Sequence, residues 1–248
     1  MNKIYLIGLS ICLAACSQSK VQPTKQIHSV NDRNYSDIPK SNKIIAHKEK
    51  NVPVTYSVWA SMPDHQQQIQ AYKGYLQQQG LSTRVPDFEF FQTARDWQKC
   101  NDAEYEVPPR ELWPNIVPTL NILNQFIEQK LIDQFTVTSV YRNYHLNQCA
   151  GGAGASKHVF NAALDFRIGS ENPDPIEQIN IEHVKAKLCQ FWRDQGEALN
   201  MGLGVYASGQ IHIDASGYRT WGVDHRYSSS PCIKDSLASN LITSLQQQ

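Results

Sequence analysis

The distribution of apolar residues confines any hydrophobic core of this chain to the part that follows residue 50. Between Ser17 and Lys50 only eight of 34 residues are apolar, too few for burial to offset the entropy lost on ordering. We therefore predict a flexible tether over residues 16–50. Residues 51–248 are numerous enough to bury a sizeable core, in one or two compact domains.

The charge balance argues against nucleic acid as a partner. Lys plus Arg and Asp plus Glu each total 23, so the formal net charge is zero, and the basic excess typical of nucleic-acid-binding proteins is missing. From Ser17 to Lys50 the tether carries seven basic and three acidic residues, a net charge of +4. Such a segment can lie on anionic lipid or remain a solvated linker, and both interpretations stay open.

The first residues have the pattern of an export signal. Lys3 precedes an apolar run over residues 4–13 that is too short to span a bilayer. The sequence Leu-Ala-Ala-Cys at residues 13–16 resembles the bacterial lipoprotein signal, which implies removal of residues 1–15 and a membrane anchor through lipid on Cys16. Ser17 is typical of lipoproteins sent to an outer membrane. We expect an exported lipoprotein, in the outer membrane and facing the periplasm.

The cysteines predict two disulfides. Signal removal eliminates Cys12 and lipidation uses Cys16, which leaves four: Cys100, Cys149, Cys189 and Cys232. An even number in an exported chain indicates a disulfide framework, with three pairings possible. A four-cysteine zinc site is disfavoured, because no two of these residues are close in sequence.

Hydrophobic periodicity predicts three helices and four strands. The helices are expected at Asp64 to Gln79, Pro114 to Lys130, and Ile181 to Leu199, and the strands at Phe135 to Ser139, Ala163 to Ile168, Leu203 to Tyr206, and Gln210 to Asp214. Helices first, then strands interrupted by one helix, indicate an α+β domain.

Three segments concentrate chemically active side chains. The first is Ser-Val-Tyr-Arg-Asn at residues 139–143, at the end of a predicted strand. The second is a glycine-rich loop that ends in His158 and is followed by Asp165. The third is the strand that carries His212. Two histidines and an aspartate supply three ligands and leave a fourth tetrahedral position for water, as in catalytic zinc sites.

This combination resembles the zinc D-alanyl-D-alanine carboxypeptidase and murein endopeptidase family, which has a hedgehog-like fold. The family pattern is an S-x-Y-R strand end, a Gly-Gly-Ala loop, S-x-H-x-x-G-x-A-x-D, and a later strand with H-x-D or H-x-H. Over about residues 110–222 the chain matches it with Ser139, Tyr141, Arg142, Gly151, Gly152, Ala153, Ser156, His158, Ala163, Asp165, Gly204, Tyr206, His212 and Asp214.

The resemblance implies an α+β fold with a small antiparallel sheet and flanking helices. It places the zinc peptidase-like domain at residues 110–248. The resemblance does not cover residues 51–109, where the helical pattern and the aromatic residues predict a segment packed on that domain. The implied activity is zinc-dependent hydrolysis of a peptide bond at D-alanine in peptidoglycan stem peptides. Both a D,D-carboxypeptidase and a murein endopeptidase fit this description.

The same resemblance implies the roles of individual residues. His158, Asp165 and His212 would bind Zn²⁺, while Arg142 and Ser156 would line the substrate pocket. A guanidinium at a strand end suits a terminal carboxylate, although a structural ion pair is the alternative for Arg142. Ser156 either donates to substrate or caps the turn before His158, and both remain open.

Two departures from the family pattern bear on function. Asn161 replaces a glycine, and asparagine tolerates the left-handed conformation, so we expect the turn to survive. Gly209 stands where several relatives have a glutamate base, and Gln210 stands where others have histidine. The nearest carboxylate, Asp214, shares a strand face with His212. It is either the base or a partner that orients His212, and we predict the base.

The Gly209 substitution motivates an alternative from another class. A protein that retains the fold and the metal but lacks an effective base would be a non-hydrolytic peptidoglycan-binding or zinc-binding lipoprotein. A serine D,D-peptidase is excluded, because the one S-x-x-K sequence, at residues 17–20, lies in the predicted tether. The loop at residues 151–157 also lacks the second glycine of a phosphate-binding loop.

Overall fold

Residues 50–233 are the part of the chain that the computed structural model describes. The predicted signal, Cys16 and the predicted tether up to residue 49 lie outside these residues. Lys50 already belongs to the folded part, because its ammonium donates to the buried carboxylate of Glu89 at 2.5 Å. Within residues 50–233, no helix combines the length and apolarity needed to cross a bilayer.

The described residues form helices packed around a single five-stranded sheet, which confirms the α+β class. The α-helices are α1 Val54–Ser61, α2 Pro63–Gln78, α3 Asp87–Phe90, α4 Val117–Glu128, α5 Tyr144–Cys149 and α6 Pro175–Gln195. The strands are β1 Phe135–Ser139, β2 Ala163–Ile168, β3 Gly202–Val205, β4 Gln210–Asp214 and β5 Arg219–Trp221. Short 3-10 helices span Arg110–Ile116, Lys157–Phe160 and Tyr227–Ser229.

The strand order is β1-β2-β4-β3-β5, and the register positions the functional side chains. All neighbours are antiparallel except β3 and β5, which run parallel. Asp165 on β2 lies opposite His212 on β4, and Gly204 on β3 lies opposite the same histidine. Because paired residues face the same side of a sheet, these positions share one face.

The helices depart from the predicted boundaries for local reasons. The predicted helix from Pro114 begins as a 3-10 turn and becomes α4 at Val117, so Pro118 occupies the first turn of α4, where a proline is tolerated. Helix α6 begins before the predicted Ile181, because the Asp174 carboxylate accepts from the first backbone N–H groups. The apolar residues near its start, Ile176 and Ile179, are exposed, so the core-facing periodicity does not extend to this end of the helix.

Residues 51–109 share their hydrophobic core with the rest of the described chain. Tyr72 of α2 is buried and lies 5.1 Å from the ring of Trp113, while Phe126 of α4 meets Phe191 of α6 edge-on at 5.0 Å. The buried Glu89 accepts from the backbone N–H of Val137 and so joins α3 to β1. The segment before residue 110 is therefore an integral layer of the fold.

Residues 50–233 contain two disulfides, as predicted, and the structure selects one of the three pairings. Cys100 pairs with Cys149 and Cys189 pairs with Cys232. The first bond ties the loop after α3 to α5, and the second ties α6 to the end of the described chain. Closing loops with separations of 49 and 43 residues stabilises the fold by roughly 4 kcal/mol each on a chain-entropy model.

Candidate metal centre and substrate cleft

Three side chains from separate elements converge at one end of the sheet. His158 comes from the 3-10 helix after the glycine-rich loop, Asp165 from β2 and His212 from β4. His212 Nδ1 lies 2.8 Å from Asp165 Oδ1 and 3.3 Å from His158 Nε2, and the third side of the triangle is 3.2 Å. Zinc ligands at about 2.0–2.1 Å in a tetrahedron lie about 3.3 Å apart, so the three atoms fit one tetrahedral face.

Hydrogen bonds on the far side of each imidazole orient both rings. His158 Nδ1 lies 2.7 Å from the carbonyl of Val140, which can only accept, so Nε2 keeps its lone pair for a metal. His212 Nε2 lies 3.0 Å from Asp214 Oδ2 and donates to it, which leaves Nδ1 facing Asp165. Ligand histidines in metalloproteins are commonly held in this way.

The protonation of the cluster suits a cation. Burial alone would raise the pKa of Asp165, but the charges and hydrogen bonds of His158 and His212 hold it well below its usual range. Burial lowers the pKa of His158. Burial opposes the charge on His212, yet hydrogen bonds to Asp165 and Asp214 raise its pKa to about 9. The Asp165 carboxylate is thus ionised and the His158 ring is neutral. Metal binding requires His212 to release one proton.

The geometry argues against the predicted role of Asp214 as general base. Its side chain is fully buried, and it accepts from Arg219 Nη2 at 2.6 Å and Nη1 at 3.1 Å, and from the N–H of Ser216 at 2.8 Å. It contacts His212 at Nε2, on the edge of the ring opposite the ligand atom. These contacts correspond to the other interpretation, a partner that fixes the orientation of His212.

The backbone conformation at position 209 explains why a glycine, and not a glutamate, stands there. Gly209 has φ +73°, and a Cβ there would lie 2.4 Å from the carbonyl oxygen of Ile168. Any side chain, including a glutamate, would force this turn to move. The departure at Asn161 is tolerated as predicted, since that residue adopts φ 51° and ψ 42°. Its amide also donates to the Leu112 carbonyl at 3.1 Å and the Tyr72 hydroxyl at 3.0 Å.

Two glycines in β3 make room for the contacts behind His212. A Cβ at Gly202 would lie 2.7 Å from the Asp214 carboxylate and 2.9 Å from the Arg219 guanidinium. A Cβ at Gly204 would lie 2.7 Å from the indole of Trp221, whose ring packs 5.2 Å from that of His212. The alternating Gly-x-Gly of β3 therefore allows β5 side chains to reach β4 across an intervening strand.

Arg142 is placed beside the candidate metal centre with unused donors. Its Nη2 lies 3.5 Å from Asp165 Oδ2 and 3.3 Å from Ser139 Oγ, and its Nη1 lies 3.4 Å from Asn147 Oδ1. These contacts are long, and the buried Nε has no partner. Burial lowers the pKa of Arg142, against the attraction of Asp165. The guanidinium is both an ion-pair partner of Asp165 and part of the cleft wall.

Asn147 of α5 contacts the Gly-Gly-Ala loop, and its role was not predicted from the sequence. Asn147 is fully buried, donates to the Ala153 carbonyl at 3.0 Å and accepts from the N–H of Gly152 through its own carbonyl at 2.8 Å. A Cβ at Gly152 would lie 2.1 Å from the side-chain oxygen of Asn147. Asn147 in turn contacts Arg142. Nothing local in the sequence indicated this role.

The centre opens into a cleft of about 750 Å³. Ser156 lines it and makes no capping hydrogen bond with its side chain, so the capping interpretation is not supported. The Tyr206 hydroxyl, also on the wall, accepts from Trp221 Nε1 at 2.8 Å. Thr138 and Gln210 also line the cleft. Neither Trp221 nor Gln210 was assigned a role from the sequence.

Fold and site together are those of a metallopeptidase domain, with two histidines and an aspartate at the end of a sheet below an open cleft. A family model described as Peptidase M15 matches residues 87–196, which include the S-x-Y-R and Gly-Gly-Ala motifs, His158 and Asp165. This match supports a relationship to the zinc D-alanyl-D-alanine carboxypeptidase-like (M15) family. M15 peptidases are zinc-dependent. Comparisons with curated proteins and with solved structures find no match.

Proposed function

We propose that this protein is a zinc-dependent peptidoglycan peptidase that hydrolyses a peptide bond at D-alanine. The observation that carries the proposal is the triangle of ligand atoms from His158, Asp165 and His212, with sides of 2.8 to 3.3 Å. Zinc held there would lower the pKa of a coordinated water and polarise a peptide carbonyl. The match to the M15 family model supports the same reaction class.

The other side chains of the cleft would bind and orient the peptide. Arg142 has an unpartnered Nε and holds its Nη2 in long contacts with Asp165 and Ser139, so its guanidinium can donate to a carbonyl or carboxylate oxygen of the substrate. Ser156 offers a hydroxyl that the 3-10 helix does not use. Asp214 would act through His212 by holding its Nε2–H, which keeps Nδ1 directed at the metal.

With Asp214 enclosed, proton transfer during hydrolysis falls to another group in the cleft. Asp96 and His225 are the carboxylate and imidazole that line it outside the ligand set, among the residues described. His225 Nδ1 lies 3.5 Å from the Tyr206 hydroxyl. Asp96→Asn and His225→Gln should be compared by pH–rate profile. The variant that removes one limb of the profile identifies the group.

Digestion of purified peptidoglycan fragments, followed by mass spectrometry, tests the proposed activity. Zinc-loaded wild-type protein should release D-alanine from stem pentapeptides or cleave cross-links, and the product identifies carboxypeptidase or endopeptidase. The His158→Ala variant serves as the inactive control. Binding of fragments without either product would support the non-hydrolytic lipoprotein and refute the enzyme.

We further propose that the protein is an exported lipoprotein anchored at Cys16 to a bacterial outer membrane. The two disulfides support an oxidising compartment. Labelling of cells with an alkyne palmitate analogue should mark the wild-type protein and not the Cys16→Ser variant. Equal labelling of both would refute the anchor.

A further inference from the structure

Two residues that line the cleft each have a buried side-chain atom without a hydrogen-bond partner, one a donor and the other an acceptor. The atoms are Nε of Arg142, a donor, and Oε1 of Gln210, an acceptor. In residues 50–233 the other unpartnered buried side-chain atom is Nε1 of Trp192, which does not line the cleft. A peptide unit presents one acceptor, its C=O, and one donor, its N–H. These groups match the unpartnered donor of Arg142 and the unpartnered acceptor of Gln210.

The position of Gln210 places its amide beside the metal centre. Gln210 precedes His212 by two residues on β4, so both side chains leave the same face of the sheet. Their backbone positions are about 7 Å apart, which is also the repeat of two residues in an extended peptide. A substrate lying along the cleft with one carbonyl at the metal would therefore present a neighbouring main-chain group to Gln210.

Thr138 determines which end of the amide is free. Gln210 Nε2 lies 2.6 Å from Thr138 Oγ1, and that hydroxyl lies 3.4 Å from the backbone carbonyl of Asp165. A carbonyl can only accept, so the hydroxyl donates its hydrogen to Asp165 and receives the N–H of Gln210. The amide is anchored through its nitrogen, and Oε1 is left as an unpaired acceptor within the cleft wall.

An unpaired buried acceptor costs the desolvation of that group until a donor arrives. Glutamine does not titrate, so Gln210 cannot act as an acid or a base. We propose that Gln210 Oε1 accepts a hydrogen bond from a main-chain N–H of the bound stem peptide, adjacent to the bond that is cleaved. This inference rests on the proposed function and specifies how the peptide is recognised.

The test measures binding, so that it is separate from turnover. The probes are diacetyl-L-Lys-D-Ala-D-Ala and its analogues N-methylated at one amide at a time, and calorimetry gives Kd with zinc-free protein, which does not hydrolyse them. N-methylation of one particular amide should weaken binding to wild type about tenfold. Gln210→Leu should bind the parent peptide about tenfold more weakly and lose the effect of that methylation.

Two further variants separate recognition from structure. Gln210→Glu keeps an acceptor and should keep the methylation effect, whereas Thr138→Val releases the amide and should reduce it. Thermal unfolding and zinc stoichiometry should match wild type in each variant used. An equal methylation effect in wild type and in Gln210→Leu would overturn the inference even if hydrolysis is confirmed. A difference between them with no hydrolysis would refute the proposed enzyme and leave the recognition intact.

Discussion

Arg219 reaches across strand β3 to Asp214, and its Nη2 lies 2.6 Å from Oδ2 of that buried carboxylate. Burial would raise the pKa of Asp214, but the hydrogen bond and charge of His212, together with the charge of Arg219, lower it, and the carboxylate accepts from His212 Nε2. Because the carboxylate is fully enclosed, its charge is available to His212 but not to the cleft. From the sequence alone, we predicted that Asp214 is the general base.

The Asp214→Asn variant should therefore weaken zinc binding without changing the pH–rate profile. Loss of a partner that orients a ligand histidine typically costs 10–100-fold in metal affinity or activity, and we expect a loss of about that size. Competition with a chelator measures the affinity, and turnover is then measured at saturating zinc. Unchanged affinity together with abolished turnover would restore Asp214 as the base.

Regular elements of this protein could be predicted because their signals are local. The strands that carry Asp165 and His212 alternate apolar and polar residues, so their boundaries and the shared face of His212 and Asp214 followed from period two. Strand β5 spans three residues, too few for any alternation to be seen.

Contacts made in three dimensions could not be predicted from spacing. Nothing local indicates that Arg219 neutralises Asp214, that Asn147 positions Arg142, or which cysteines pair. The sequence showed that Asp214 and His212 share a face, but not which ring nitrogen the carboxylate meets. That single detail decides between proton acceptor and orienting partner.

The Gly202→Ala substitution should disturb the ion pair behind His212. The added Cβ would lie 2.7 to 2.9 Å from Asp214 and Arg219 at once. We expect the free energy of unfolding to fall by about 1–3 kcal/mol, with a matching decrease in zinc affinity. Gly154→Ala is the control, since no atom lies within 4 Å of a Cβ there. Equal stability of the two variants in a denaturant titration would contradict the packing described for β3.

The Gly152→Ala substitution should act on the substrate and spare the metal. Its Cβ would displace the Asn147 side chain, which contacts Arg142 Nη1 at 3.4 Å. We expect KM to rise and the unfolding free energy to fall by about 1–3 kcal/mol, while zinc stoichiometry stays unchanged. An unaltered KM in a destabilised variant would show that Asn147 does not position Arg142.

Glu106 should make stability depend on pH. Burial raises the pKa of Glu106, although the Asn143 amide donates to it, and Asp102 adds to the increase. The folded state thus holds this proton more tightly than the unfolded state, so stability is lost as pH rises through the raised pKa. Glu106→Gln should match wild type near about pH 4 and exceed it at about pH 7 in urea titrations. A difference that does not grow with pH would contradict this assignment.

Metal content after zinc reconstitution, measured by mass spectrometry on purified protein, tests the central claim most directly. Wild type should hold one zinc per chain, and His158→Ala and His212→Ala should hold none while their circular dichroism shows an intact fold. His145→Ala, an exposed histidine bonded to Asp102, should keep its zinc. Stoichiometric zinc in folded His158→Ala or His212→Ala would contradict the proposed centre.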